Sequence, residues 1–205
     1  RIFRVNKRLG YMHMSLAFGW FLLITVGWIE TVAYLGARFV PLQGHVFFKY
    51  FAALNGIDAH IAAFDFVMDS LLLFVLSGVV MAWYKRRNSA KLGMKRATQH
   101  IFLDKVALTA LWFVFPVRLI AESITSAIYG GGGFLTGGLG KVLSTTVNSD
   151  LLSWLYEPIW WLYSLALGVF FMAMPFSRYM HIFTEIPLIF LRHYKLRPQD
   201  KEKSY

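Results

Sequence analysis

Four long apolar segments dominate the pattern of hydrophobic and polar positions along the chain. They lie near residues 11–34, 60–84, 102–126 and 154–176. Each is long enough to cross a hydrocarbon core of roughly 30 Å, which takes about 20 apolar residues in an α-helix. No internal repeat is visible, and residues 1–205 are interpreted as one domain. The pattern therefore predicts an all-α integral membrane protein whose four transmembrane helices form an antiparallel bundle.

The residues around these segments indicate how the helices end and connect. The basic triplet at 85–87 closes the second segment, and Pro116 inside the third is tolerated in a membrane helix with a local kink. The run YGGGGFLTGGLG at 129–140 has the composition of a flexible connection. It lacks the Lys-Ser/Thr pair that a phosphate-binding loop requires. The stretch WLYEPIWWLYS at 154–164 is typical of an aromatic belt at a membrane–water interface.

Basic residues are distributed unevenly over the connections. Most of the 21 Lys and Arg residues lie in 1–8, in 85–105, or in the part that begins at Arg178 and includes the tail 188–205. This positive-inside asymmetry predicts that both termini and the 85–105 connection face the cytoplasm. We therefore expect a multi-pass protein of the inner (cytoplasmic) membrane, with membrane lipid as a partner. Anchoring also accounts for the net charge of +10, so we expect no nucleic-acid partner.

Composition narrows the possible chemistry. The chain is 57% hydrophobic, above the roughly 45–50% of soluble domains. It contains no cysteine, which excludes disulfides, zinc–thiolate sites, cysteine-ligated iron–sulfur clusters and covalently attached c-type haem within this chain. A metal or redox centre held by these residues must use histidine, carboxylate or methionine ligands.

Two of the six histidines are predicted to lie at the same depth. His13 is one turn inside the first helix, and His181 follows the end of the fourth. Both positions are on the side that carries the termini of the antiparallel bundle. Two neutral imidazoles facing each other across a gap suit the axial positions of a b-type haem. An interfacial or hydrogen-bonded histidine is the alternative for each. Arg178, one turn before His181, either pairs with a haem propionate or extends to the lipid headgroups.

The stretch MPFSRYMHIFTEIPLIFLRHYKL at 174–196 resembles the closing segment of the nitrate reductase gamma-subunit family. That family includes the membrane cytochromes of sulfite reductase-linked and heterodisulfide reductase-like complexes. The most specific part is PFSR-x-x-H-I with a proline six residues after the histidine. Weaker matches are LG-x-x-H around His13, the KRR triplet and Asp104. The resemblance covers four helices, and the family's usual first helix is expected to precede Arg1.

The resemblance implies a haem b membrane subunit of a quinone-linked respiratory oxidoreductase complex, an electron-transfer subunit rather than a stand-alone enzyme. Such a subunit passes electrons between membrane quinone and a cytoplasmic iron–sulfur partner subunit. His13 and His181 match the ligand pair of the haem nearer that partner. Two-haem members have a second pair, and the corresponding positions here hold Leu23 and Tyr163. We therefore expect one haem b per chain.

Ionisable residues in the half of the bundle away from the termini are candidates for quinone and proton chemistry, because such groups are expensive inside a membrane. Asp65 and Asp69 are four residues apart on the second helix, as are Arg118 and Glu122 on the third, so each pair shares a helix face. One interpretation is an ion-pair network that links the two helices. The other is a quinol site whose carboxylates take up protons, with His60 near its entrance.

A quinol site in that half lies far from a haem near the termini. Either the quinone enters deeper, or it binds near His100 and Asp104, and the sequence leaves both open. Two other functions also remain. One is a haem-free membrane anchor or assembly subunit. The other is a small transporter that uses the charged cluster, although transporters usually carry the repeat that this chain lacks.

Overall fold

The computed structural model describes residues 7–33, 62–88 and 102–177, together with Met180, Thr184 and Leu188. The elements in this part of the chain are all helical. They are α1 (Lys7–Ala33), α2 (Ala62–Arg87), α3 (Phe102–Tyr129), α4 (Thr136–Thr146) and α5 (Ser149–Ala173), followed by a 3-10 turn at Met174–Phe176. The helices α1, α2, α3 and α5 are each long and apolar enough to cross a membrane. The predicted all-helical, four-span architecture is confirmed, and the chain is a multi-pass membrane protein.

Large apolar side chains cover the outside of the bundle. Soluble monomers rarely expose contiguous apolar patches larger than a few hundred Å². Here aromatic and aliphatic side chains are exposed along all four long helices, as expected of surfaces that meet lipid. Among the most exposed are Trp28, Phe66, Phe102, Trp154 and Met172.

The helices α1 and α2 pack closely because small residues line their contact. A methyl group on Gly19 would lie 2.6 Å from a Val75 methyl carbon, and one on Gly78 would overlap the Ser15 hydroxyl. Small residues at such positions let two helix backbones approach, the usual basis of helix association in lipid. The Tyr11 and Ser77 hydroxyls share a hydrogen bond of 2.8 Å nearby.

The helices α3 and α5 form the second close pair. The Trp160 indole nitrogen donates to the Thr125 hydroxyl at 3.0 Å, and both side chains are buried. One turn further along, the rings of Tyr129 and Tyr156 lie 5.7 Å apart, edge to face. From the first contact to the second, the position moves forward along α3, from Thr125 to Tyr129, and backward along α5, from Trp160 to Tyr156. The two helices are therefore antiparallel. Asn148 caps the start of α5 by accepting a hydrogen bond from the Asp150 amide.

The run at 129–140 is not simply the flexible connection predicted from its composition. Gly130 and Gly132 have φ values of +76° and +84°, which side-chain-bearing residues rarely adopt. These glycines turn the chain sharply after α3, and the following residues then form α4. The prediction was therefore wrong for the part from Thr136 onward, because a contact from α2 fixes where α4 begins.

That contact comes from the carboxylate of Asp69, which is 2% exposed. It accepts hydrogen bonds from the Leu135 amide (2.6 Å), the Thr136 amide (3.0 Å) and the Thr136 hydroxyl (2.9 Å). The first amides of a helix have no partner within the helix, and a negative charge there is favourable. Asp69 thus caps α4 from another helix and holds it against the bundle.

The pair α1–α2 packs more loosely against the pair α3–α5 than the two helices of each pair pack against each other. Rings bridge the gap at one level, where Trp20 of α1 packs edge to face on Phe170 of α5, with centroids 5.5 Å apart. We call the end that carries Lys7, the C-terminus of α2 and the start of α3 the basic end. We call the opposite end, with the 130–133 loop and α4, the glycine end.

Candidate functional site

His13 lies on the face of α1 that turns towards α3 and α5. Its imidazole is exposed rather than packed in the core. Trp20 and Ile24 follow it by seven and eleven residues, so all three share one stripe of the helix. Trp20 contacts Phe170, and both Trp20 and Ile24 line the space between the helix pairs. The exposed His13 ring is therefore on the continuation of that space towards the basic end.

The depth of His13 follows from the Trp20–Phe170 contact. Seven residues of α-helix separate His13 from Trp20, about 10 Å towards the basic end. Seven residues from Phe170 in the same direction lead to Ser177, just after the 3-10 turn. Ser177 is buried, and its hydroxyl donates to the Met174 carbonyl at 2.9 Å. His13 thus lies near the level at which α5 ends. Arg178 and His181, the other residues of the predicted haem site, lie outside the described residues, as does His60.

Leu23 and Tyr163 both line a groove between the pairs. The groove has about 330 Å³ of empty space, a volume that includes its open mouth. Apart from Arg118 and Tyr163, its lining is apolar: Trp20, Leu23, Ile24, Val114, Phe115, Leu167 and Phe171. The positions of Leu23 and Tyr163, which the sequence resemblance aligned with the second ligand pair of two-haem proteins, therefore line the same groove. Neither residue is a histidine, so neither offers an imidazole to an iron at this level.

Arg118 joins two polar residues near the middle of the bundle. Its Nε donates to Oε1 of Glu122 at 2.7 Å, and the two side chains are 14% and 11% exposed. The same guanidinium hydrogen-bonds the Tyr163 side chain. Arginine offers only donors, so the Tyr163 oxygen is the acceptor in this contact. A buried charge of this kind is costly unless it is paired in this way.

The second-helix carboxylates divide into two roles. Asp69 is used fully in capping α4, which favours a structural role for that residue. Asp65 is half-buried, and its charge and that of Asp69 act on Glu122. Between α2 and α3, the charges of Asp65 and Asp69 therefore act on Glu122. The ion pair between Arg118 and Glu122 lies within α3.

Tyr163 is the site residue whose role the sequence did not indicate. It appears in an aromatic stretch that is typical of an interface, yet it is 3% exposed and lies next to Arg118. A polar residue at a core position of the helical pattern was the available signal. Its neighbour Trp160 carried the same signal, a side chain with a polar atom at a core position. In the structure its indole nitrogen donates to the Thr125 hydroxyl.

Comparisons with protein-family models, with curated proteins and with solved structures found no match to this chain. The function must therefore be argued from the residues and their placement.

Proposed function

We propose that this chain is the haem b membrane subunit of a quinone-linked oxidoreductase complex, with His13 and His181 as the axial ligands. The observation that carries the proposal is the placement of His13. It is exposed on the α1 stripe that faces the other helix pair, and it lies near the level where α5 ends. Cofactors of helix bundles are held between facing helices in just such positions. His181 follows the end of α5 by a few residues in the sequence.

The residues of the chain would perform distinct tasks around that group. His13 and His181 would each present a neutral imidazole nitrogen, and Arg178 would neutralise a propionate. The apolar flanks of α1 and α5 would exclude water, which helps to set the redox potential. When bound, haem b would supply one-electron transfer, for which the side chains of this chain provide no other centre. A single haem agrees with Leu23 and Tyr163 at the other candidate level.

We assign quinone binding and proton transfer to the remaining ionisable residues. Arg118 and Glu122 form a buried pair in the membrane interior, and Asp65 acts on Glu122 through its charge. Buried ionisable groups in membrane helices mark substrate or proton paths. In this proposal Arg118 contacts the quinone, Glu122 and Asp65 receive protons, and His60 lies near the entrance. The basic end, with Lys85, Arg86 and Arg87 in the last turn of α2, faces the cytoplasm and receives an iron–sulfur partner subunit.

The haem assignment is tested by a dithionite-reduced minus oxidised spectrum of the purified chain, with haem quantified per polypeptide. We expect one haem b per chain. His13→Ala and His181→Ala should each lose it, whereas His100→Ala and His193→Ala, which change histidines elsewhere, should retain it. Two haems per chain would contradict the single-site assignment. A colourless protein would favour the haem-free anchor.

A further inference from the structure

The last turn of α2 presents two arginine side chains that lie over tryptophan rings. The Arg87 guanidinium carbon lies 5.4 Å from the centre of the Trp83 ring, one turn earlier on the same helix. The Arg86 guanidinium carbon lies 5.1 Å from the centre of the Trp112 ring on α3. The negative face of an aromatic ring attracts a cation. These contacts hold both charges in defined positions.

The N–H groups of both arginines are available to a ligand. Within the part of the chain that the structure describes, neither guanidinium makes a hydrogen bond or an ion pair, and both side chains are exposed. A guanidinium carries its N–H donors in a rigid plane, a geometry that matches two oxygens of a carboxylate or a phosphate. Lys85 adds a third positive charge in the same turn. The turn therefore offers a site for an anion with several acceptor oxygens.

The direction of the two side chains indicates where that anion lies. Trp83 is one turn deeper in the membrane helix than Arg87, so the Arg87 side chain turns back towards the bilayer. Trp112 follows the start of α3 at Phe102 by ten residues, about 15 Å along the helix, so Arg86 also reaches inwards. An arginine that extended to the aqueous side would point the other way. Both charges therefore lie at the flank of the basic end.

The neighbouring side chains are typical of the level of lipid head groups. Trp83 and Tyr84 directly precede the basic triplet and are 53% and 59% exposed on the outside of the bundle. Tryptophan and tyrosine collect at this level of a membrane because their rings are apolar and their tips are polar. Basic pockets between membrane helices bind the head groups of anionic lipids. A lipid phosphate is thus the anion that this position favours.

We propose that the last turn of α2 binds the phosphate of an anionic membrane lipid through the N–H groups of Arg86 and Arg87. The acyl chains lie along the apolar outside of α2, and Trp83 flanks the head group. Because Arg86 contacts α3, the bound lipid also stabilises the contact between the two helix pairs at the basic end. The site is independent of haem and quinone. It occupies the flank of the basic end and leaves the surface towards the cytoplasm to the proposed partner subunit.

The test is native mass spectrometry of the full chain in detergent, titrated with phosphatidylglycerol or with phosphatidylcholine of the same acyl chains. We expect phosphatidylglycerol to bind about tenfold more tightly or better, the value of a hydrogen bond between charged groups. Arg86→Gln combined with Arg87→Gln should abolish this preference. The matched control is Lys7→Gln combined with Arg8→Gln, which removes the same charge from exposed residues of α1 at the same end and should keep the preference.

Trp83→Leu separates a positioned arginine from positive charge alone. It leaves every charge in place and releases Arg87 from the ring, so the affinity for phosphatidylglycerol should fall by about two- to fivefold, the value of an exposed cation–π contact. Unchanged affinity in this variant would contradict the positioning of Arg87 by the ring.

Three results would overturn the lipid site. Equal binding of the two lipids would leave the arginines to an acidic protein surface. Equal losses in the two double variants would mean a general effect of charge. Displacement of the lipid by inorganic phosphate at the same concentration would mean a site for soluble phosphate. Circular dichroism is measured on the same samples, and a glutamine variant with altered helix content is replaced by Arg86→Lys combined with Arg87→Lys. That variant keeps the charges without the paired donors and should also lose most of the preference.

Discussion

Asp69 shows how one charged residue can be retained inside a membrane helix for structure alone. Its carboxylate accepts three hydrogen bonds from Leu135 and Thr136 while it is almost completely buried. The helix that it caps meets the carboxylate with its positive end, which offsets the cost of burying the charge. Gly133 belongs to the same contact, because a side-chain carbon there would lie 2.5 Å from the carboxylate.

Asp69→Ala should loosen α4 more than any other part of the bundle. The change removes the acceptor of the buried Thr136 amide and of the part-buried Leu135 amide, and a buried unsatisfied group costs about 1–3 kcal/mol. Hydrogen–deuterium exchange should therefore rise in 135–146 before it rises in α3. The matched control is Glu157→Ala, an exposed carboxylate on α5. Equal protection of α4 in both variants would contradict the capping role.

The interaction between Arg118 and Glu122 is predicted to add a favourable coupling free energy to the stability of the bundle. Arg118→Leu leaves an unpaired buried carboxylate, and breaking a buried pair from one side costs about 3–5 kcal/mol. The double change to leucine removes both charges, so most of that loss should be recovered. Unfolding of the unchanged chain, Arg118→Leu, Glu122→Leu and the double variant in a mixed-micelle titration gives the coupling free energy. Additive losses would mean that the 2.7 Å contact contributes little.

At the scale of elements, the close pair α1–α2 depends on where its glycines lie. Both Gly19 and Gly27 are in α1, but only Gly19 lies tightly against side chains of α2. A Cβ on Gly19 would meet Val75 at 2.6 Å, whereas a Cβ on Gly27 would meet the end of Met68 at 3.8 Å. The first contact requires a shift of packed groups, and the second is ordinary van der Waals contact.

Gly19→Ala and Gly27→Ala should therefore differ in sign. In a helix, alanine is favoured over glycine by about 0.5–1 kcal/mol, so Gly27→Ala should be neutral or stabilising. Overpacking at Gly19 should cost about 1–3 kcal/mol. Thermal unfolding of the purified chain measures both. A stabilised Gly19→Ala protein would show that the helices separate without cost.

The four long helices were predictable because each depends on a local property, an apolar run of sufficient length. The ends of the helices were less predictable. The helix α5 begins at Ser149, five residues before the predicted segment, because Asn148 caps it there. The helix α4 was missed because Asp69, 66 residues away in the sequence, satisfies its first amides. Tyr163 was missed as a site residue for a similar reason, since its neighbour Arg118 comes from another helix. Periodicity gives no information about such partners.

At the scale of the whole molecule, two helix pairs join along a looser seam. Each pair has its own specific contacts, Gly19 and Gly78 in one and Trp160 with Thr125 in the other. The seam holds the groove, and the exposed His13 lies on its continuation towards the basic end. The proposed haem would thus bind at the interface between the pairs. Its binding should hold the pairs together.

The orientation of the bundle is the last property that the charges predict. Lys7, Lys85, Arg86 and Arg87 lie at the basic end, and positively charged connections stay in the cytoplasm. Because the chain has no cysteine, single-cysteine variants can be labelled without a background. Ser144→Cys, on the exposed side of α4 at the glycine end, should react with a membrane-impermeant maleimide on intact cells. Asn88→Cys, just after α2, should react only once the membrane is opened. The reverse pattern would put the basic end outside, and the proposed docking of a cytoplasmic iron–sulfur subunit there would then be wrong.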